Sequence, residues 1–205
     1  MQHIAIKESP FKIAGTVTIN TYRAGMVDMV MPLLKELQLT RARGPRENSH
    51  QIVALKSAID QVREAYFLRT AAEVSNLVVD SPNYGLDLII QRLVGINTYS
   101  LNILWIELGT GSTAPTVNDT GLTTPSIRIP VSFQEDYGAT EAILQAYVTD
   151  ANLANGTYNE VGSFVDGSSS IGSGQLFNHA LISPAYTKVA GQDTTVEIDF
   201  TIVNS

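Results

Sequence analysis

The sequence has no cysteine among its 205 residues, one tryptophan and three histidines. Without cysteine there can be no disulfide, zinc–thiolate site, iron–sulfur cluster or thiol nucleophile, so apolar burial must hold the chain together. Charge is scarce as well: Asp, Glu, Lys and Arg make up 16% of the residues, against about 25% in an average soluble domain. Low charge implies that much of the surface is covered by something. Long hydrophobic runs are also missing, and no stretch approaches the roughly 20 apolar residues that span a bilayer. The opening Met1-Gln2-His3-Ile4-Ala5-Ile6-Lys7 lacks the basic start and apolar run of a signal peptide. The expectation is a soluble protein with no membrane partner, not exported by a cleaved signal.

Basic residues are nearly absent from the second half. Residues 93–205 carry only Arg128 and Lys188 against 11 acids, a balance of −9, whereas residues 1–92 carry 11 basic and 9 acidic side chains, a balance of +2. A half at −9 argues against broad phosphate contact, and although residues 1–92 stay open on that point, nucleic acid is not expected as a partner.

What the chain does have is a 44% share of apolar residues in clear periodic patterns. From residue 11 to 22, Ile13, Gly15, Val17, Ile19 and Thr21 alternate with Lys12, Thr16, Thr18 and Asn20, which is strand period. Near the end, Val196, Ile198, Phe200 and Ile202 alternate with Thr195, Glu197, Asp199 and Thr201 in the same way. Between them, strand candidates fall at 76–80, 101–108, 127–133, 139–149, 158–165 and 175–183, separated by Gly, Asn, Asp and Ser, the spacing of an antiparallel sandwich. Helices are expected near residues 31–39, 49–73 and 86–94. The second carries Ile52, Leu55, Ile59, Val62 and Tyr66 at spacings of three and four, a seam of two heptads. Such a seam packs either on the chain's own domain or at a subunit interface. The predicted fold is mainly β with a helical insertion (α+β): an antiparallel β-sandwich from residues 1–25 and 96–205, and a mainly helical insertion over residues 26–95. Residues 166–174, rich in Gly and Ser, read as a flexible loop.

Candidates for chemistry are few. His3, His50 and His179 have no neighbour at metal spacing, and His179, in a strand beside Asn178, can pair only with a group distant in sequence. The acids Glu107, Glu135, Asp136 and Glu141 are glycosidase candidates, but solvent-facing acids of alternating strands explain them more simply. Asp150 with Asn152 and Asn155, or Asp166 with its serines, offers hard oxygen ligands without the spacing of a calcium loop. Gly109-Thr110-Gly111-Ser112 follows a strand but lacks the lysine of a phosphate loop, and Pro115 bars a helix there, so it reads as a turn. No cofactor, metal or small-molecule substrate is expected.

The segment Leu104-Trp105-Ile106-Glu107-Leu108-Gly109-Thr110-Gly111 continues through Ala114-Pro115-Thr116 and Asp119-Thr120-Gly121-Leu122 to Ile127-Arg128-Ile129. It resembles a pattern common in tailed-bacteriophage virion proteins: an apolar strand, a Gly-Thr-Gly turn reaching a proline, an Asp-Thr-x-Leu stretch, then a strand containing arginine. The strand from residue 11, Asn76-Leu77-Val78-Val79-Asp80, Tyr158-Asn159-Glu160-Val161-Gly162-Ser163-Phe164 and the last strand look like that group too. The resemblance covers residues 11–25 and 76–205, and residues 26–75 depart from it. It implies a non-enzymatic building block of the virion, assembled in many copies with itself and with other virion proteins, of the tail, the baseplate or the head surface. The expected interface residues are the basic loop Arg41, Arg43 and Arg46, suited to an acidic neighbour, and the seam Ile52, Leu55, Ile59, Val62 and Tyr66. The alternative is a receptor- or glycan-binding module, which would need Trp105, Tyr137, Tyr147 or Tyr158 exposed on a rim.

Overall fold

A computed structural model of the chain describes residues 11–44 and 48–204. The elements in order are β1 (Phe11–Arg23), α1 (Met26–Arg43), α2 (Ser49–Tyr66), β2 (Phe67–Ser75), β3 (Leu77–Val78), α3 (Gly85–Leu93), β4 (Ile103–Gly109), β5 (Pro125–Pro130), β6 (Phe133–Asp136), β7 (Glu141–Val148), β8 (Gly156–Val165), β9 (Gln175–Lys188) and β10 (Gln192–Asn204). The strands form two five-stranded antiparallel sheets, β2-β1-β10-β7-β6 and β3-β9-β8-β4-β5. The architecture is mainly β, a sandwich carrying a helical insertion.

The two strands with the cleanest alternation form the centre of the first sheet. β1 and β10 pair along their whole length, Phe11 opposite Asn204 through Arg23 opposite Gln192. Val17, Ile19, Val196 and Ile198 point inward together and are wholly buried, where they meet Leu108, Ile106, Val161 and Phe177 of the second sheet. At about 25 cal/mol per Å² of apolar surface, this inter-sheet layer is the main stabilising term.

The helical insertion departs from its predicted bounds in two ways. α1 starts at Met26, five residues before the expected helix, because the Asp193 carboxylate of β10 accepts hydrogen bonds from the N–H groups of Gly25 (3.0 Å) and Val27 (2.9 Å). That cap comes from 166 residues away in sequence, and it completes helix donors that would otherwise be orphaned. α2 ends at Tyr66, where residues up to 73 were expected to remain helical. Phe67–Ser75 instead pairs with β1, from Ser75 opposite Thr16 to Phe67 opposite Tyr22. Pairing satisfies the free side of β1 and places Ala72 and Val74 on the core, which outweighs the helix preference of the two alanines. β2 and β3 thus belong to the sheets, and the inserted piece is the α1–α2 hairpin.

The single strand expected over 127–133 is two. Pro130, with no N–H to donate, ends β5 in the second sheet, and three residues later Phe133 opens β6 in the first.

Each sheet also has its outer face covered. On the first sheet the α1–α2 hairpin buries Tyr22, Phe133 and Tyr147 beneath Met26, Val30, Leu34, Leu37 and Ile59. On the second sheet, residues 109–124 and 166–174 lie over an outer face that contains charged side chains.

Candidate functional site

The outer face of the second sheet holds the most concentrated chemistry. In β8, Glu160 stands opposite Gly109 of β4, and in β9 His179 stands opposite Gly162 of β8. Both side chains are almost completely buried. Glu160 Oε1 accepts hydrogen bonds from the N–H groups of Gly111 (3.0 Å) and Thr124 (2.7 Å), and Oε2 accepts from that of Thr123 (2.9 Å). One carboxylate therefore fastens both ends of the 109–124 loop. Glycine is required at 109 and 111 because a Cβ at either position would lie 2.5 Å from Glu160 Oε1. Where a turn was expected, Gly109 ends β4 and Thr110-Gly111 run on beside Thr124 as irregular chain, shaped to admit an anion from the chain itself.

His179 links this carboxylate to the far part of the loop. Its Nδ1 lies 2.7 Å from Asp119 Oδ2 and its Nε2 lies 3.2 Å from Glu160 Oε2. Both ring nitrogens face carboxylate oxygens, an arrangement that an imidazolium satisfies by donating twice. Burial pushes the Asp119 carboxyl up, but hydrogen bonds from the Thr116 hydroxyl and amide and from His179 outweigh it and hold the group below the usual carboxylate range. Asp119 and His179 are 60 residues apart in sequence and Glu160 and His179 are 19 apart, so the cluster has no local signature.

A second buried pair lies on the same face. Arg128 of β5 is bonded to Glu107 of β4 at 2.5 Å, with both side chains at most 1% exposed. The guanidinium stacks over Trp105 and Phe164, at 5.1 and 4.8 Å from the ring centres. It donates from Nε to the Ser168 carbonyl (2.8 Å) and from its terminal nitrogen to the Ser173 carbonyl, while Glu107 Oε1 accepts from the Gly172 N–H (2.7 Å). Residues 166–174, expected to be a flexible loop, are thus anchored at three points. Charge-assisted bonds to main-chain groups are roughly twice as strong as neutral ones.

Other candidates resolve as follows. Lys188, itself buried, donates to Asp150 Oδ1 and to the Asn155 side-chain oxygen (3.3 Å), so an ammonium stands where Asp150 and Asn155 could have held calcium. The Lys188 hydrogen bond, with help from the Gly191 and Gln192 amides, holds Asp150 below the usual carboxylate range. Arg41 bonds Glu135 of β6 at 2.6 Å, and Lys56 of α2 reaches the same oxygen at 2.5 Å. The acidic neighbour of Arg41 is therefore within the chain. Arg43 is exposed and stands 3.9 Å from Glu36; Arg46 lies outside the described residues. The seam Ile52, Leu55, Ile59, Val62 and Tyr66 faces α1 and the first sheet's outer side, with Ile59 buried and the others half-buried. Of the aromatics a glycan reader would expose, Tyr147 and Tyr158 are buried, Trp105 lies under Arg128, and Tyr137 is open to solvent.

One apolar opening remains. At the end of the sandwich next to α3, a groove of about 480 Å³ runs between the sheets, walled by Ile89, Ile103, Leu144, Phe177, Phe200 and Ile202. Sequence reasoning missed it because these walls come from five separate elements, α3, β4, β7, β9 and β10. No helix of the described residues is long and apolar enough to cross a membrane. No protein-family model matches the chain, and comparisons with curated proteins and with solved structures give no match.

Proposed function

We propose that this chain is a non-enzymatic structural component of a tailed-bacteriophage virion, of the tail or baseplate, which assembles with itself and bridges other virion proteins. The observation that carries the reading is the use made of the phage-like segment. Its glycines, Asp119, and the arginine of the strand after it are all engaged in clamping loops flat against a sheet. Buried charges bonded to main-chain groups stiffen the surface they underlie. A scaffold subunit needs rigid, shaped faces more than reactive groups. The low charge noted in the sequence and the uncovered apolar surface at α3 support the same reading, because assembled subunits cover such surface with neighbours.

Mass spectrometry of purified virions tests the proposal. Peptides of this chain are expected at an abundance comparable with other structural proteins; virions that lack them overturn it.

A further inference from the structure

The α3 end of the molecule displays apolar side chains in a cluster. Ile90 is 56% exposed, Leu93 77%, Val94 68% and Ile96 48%. Ile89 forms part of the groove wall, and Leu93 follows it by one helical turn on the same side of α3, so the exposed cluster continues the groove out to solvent. Ile202, 40% exposed, stands on the groove's other wall. These five side chains present on the order of 500 Å² of apolar surface, at the top of the range for the largest patch on a monomer.

We propose that this face is a two-fold contact with a second copy of the chain, in which Leu93 and Val94 of each copy enter the groove of the other. The inference rests on the self-assembly in the proposed function and names its surface. Two features of the face argue for it. A two-fold interface uses one patch twice, so it must be self-complementary, and here a projecting apolar helix end lies beside an apolar socket on the same face. The area is also sufficient: the exposed cluster and the groove walls together offer on the order of 600 Å² per partner, the lower end of what a specific interface buries. The groove interior suits an apolar guest, because its acids, Asp136 and Glu141, belong to the exposed residues, and the Gln134 amide is already donating to the Ile103 carbonyl.

Sedimentation of the purified full chain over a range of concentrations, for the wild type and for Leu93→Glu, tests the contact. The wild type is expected to self-associate, and Leu93→Glu to weaken that association at least about tenfold while unfolding at the wild-type temperature. Because the chain has no cysteine, a second measurement is unambiguous: a Leu93→Cys copy mixed with an Ala139→Cys copy should give a mixed disulfide dimer on oxidation. Association that Leu93→Glu leaves unchanged, with no mixed dimer formed, overturns this surface and leaves virion assembly standing. A wild type that stays monomeric overturns it too. Neither result decides whether the chain is in virions, which mass spectrometry reads separately.

Discussion

Replacing Glu160 by Gln tests whether one buried carboxylate holds the 109–124 loop. The substitution keeps size and shape but leaves one carbonyl oxygen where two carboxylate oxygens received the Gly111, Thr123 and Thr124 amides and faced His179. In the less costly orientation the new NH2 group stands at the Oε2 position, so the Thr123 N–H and a donating His179 both meet a donor. Losing a charge-assisted bond costs about 1.5–3 kcal/mol, and an orphaned buried donor costs about 1–3 more. The expected total is about 3–5 kcal/mol, which for a chain of this size lowers the melting temperature by on the order of 10 °C. Urea unfolding measures the stability, and hydrogen exchange at Gly111, Thr123 and Thr124 reads the clamp itself. A stability loss below about 1 kcal/mol together with unchanged protection of those three amides would refute the reasoning.

Two further substitutions probe the buried charges. Arg128→Met keeps the packing on Trp105 and Phe164 but leaves Glu107 buried without its cation; it should cost about 3–5 kcal/mol in urea unfolding and expose residues 166–174 to protease, and adding Glu107→Gln should recover part of the loss. Asp199 is pushed up to about 6 by burial and by the neighbouring Glu197 and Glu141. A carboxyl raised above its unfolded value of about 3.9 stabilises the fold below that value, and the contribution is lost as pH rises through 6. Asp199→Asn should therefore flatten the decline of melting temperature between pH 4 and 6.5, and melt above the wild type at pH 7; an unchanged profile counts against the shift.

Much of the fold was legible because it follows from local periodicity. The alternation in β1 and β10 gave both the strands and their inward faces, since one side of each lies on the core. What escaped was set by distant partners. The first turn of α1 is completed by Asp193, and β2 is a strand because β1 needed a partner, neither of which a window around residues 26 or 70 contains. The candidate site shows the same division. That the strand breaks at Gly109-Thr110-Gly111 is readable from the sequence, although the break is irregular chain and not a turn, and its reason, a carboxylate at 160, is not readable. His179 was recognised as needing a distant partner, and finding two required the register of β8 against β9. Arg41, expected in a loop facing an acidic neighbouring subunit, lies in the last turn of α1 and meets Glu135 of the chain's own β6, which follows Pro130 where the chain passes from one sheet to the other.

On the proposed reading, this chain is a virion building block present in repeated copies. A density map of the intact particle, searched for two five-stranded sheets with the α1–α2 hairpin on one outer face, tests it most directly. This shape is expected in the tail or baseplate, repeated by the particle's symmetry with α3 ends in contact. A tail and baseplate whose density is fully explained by other chains would contradict it.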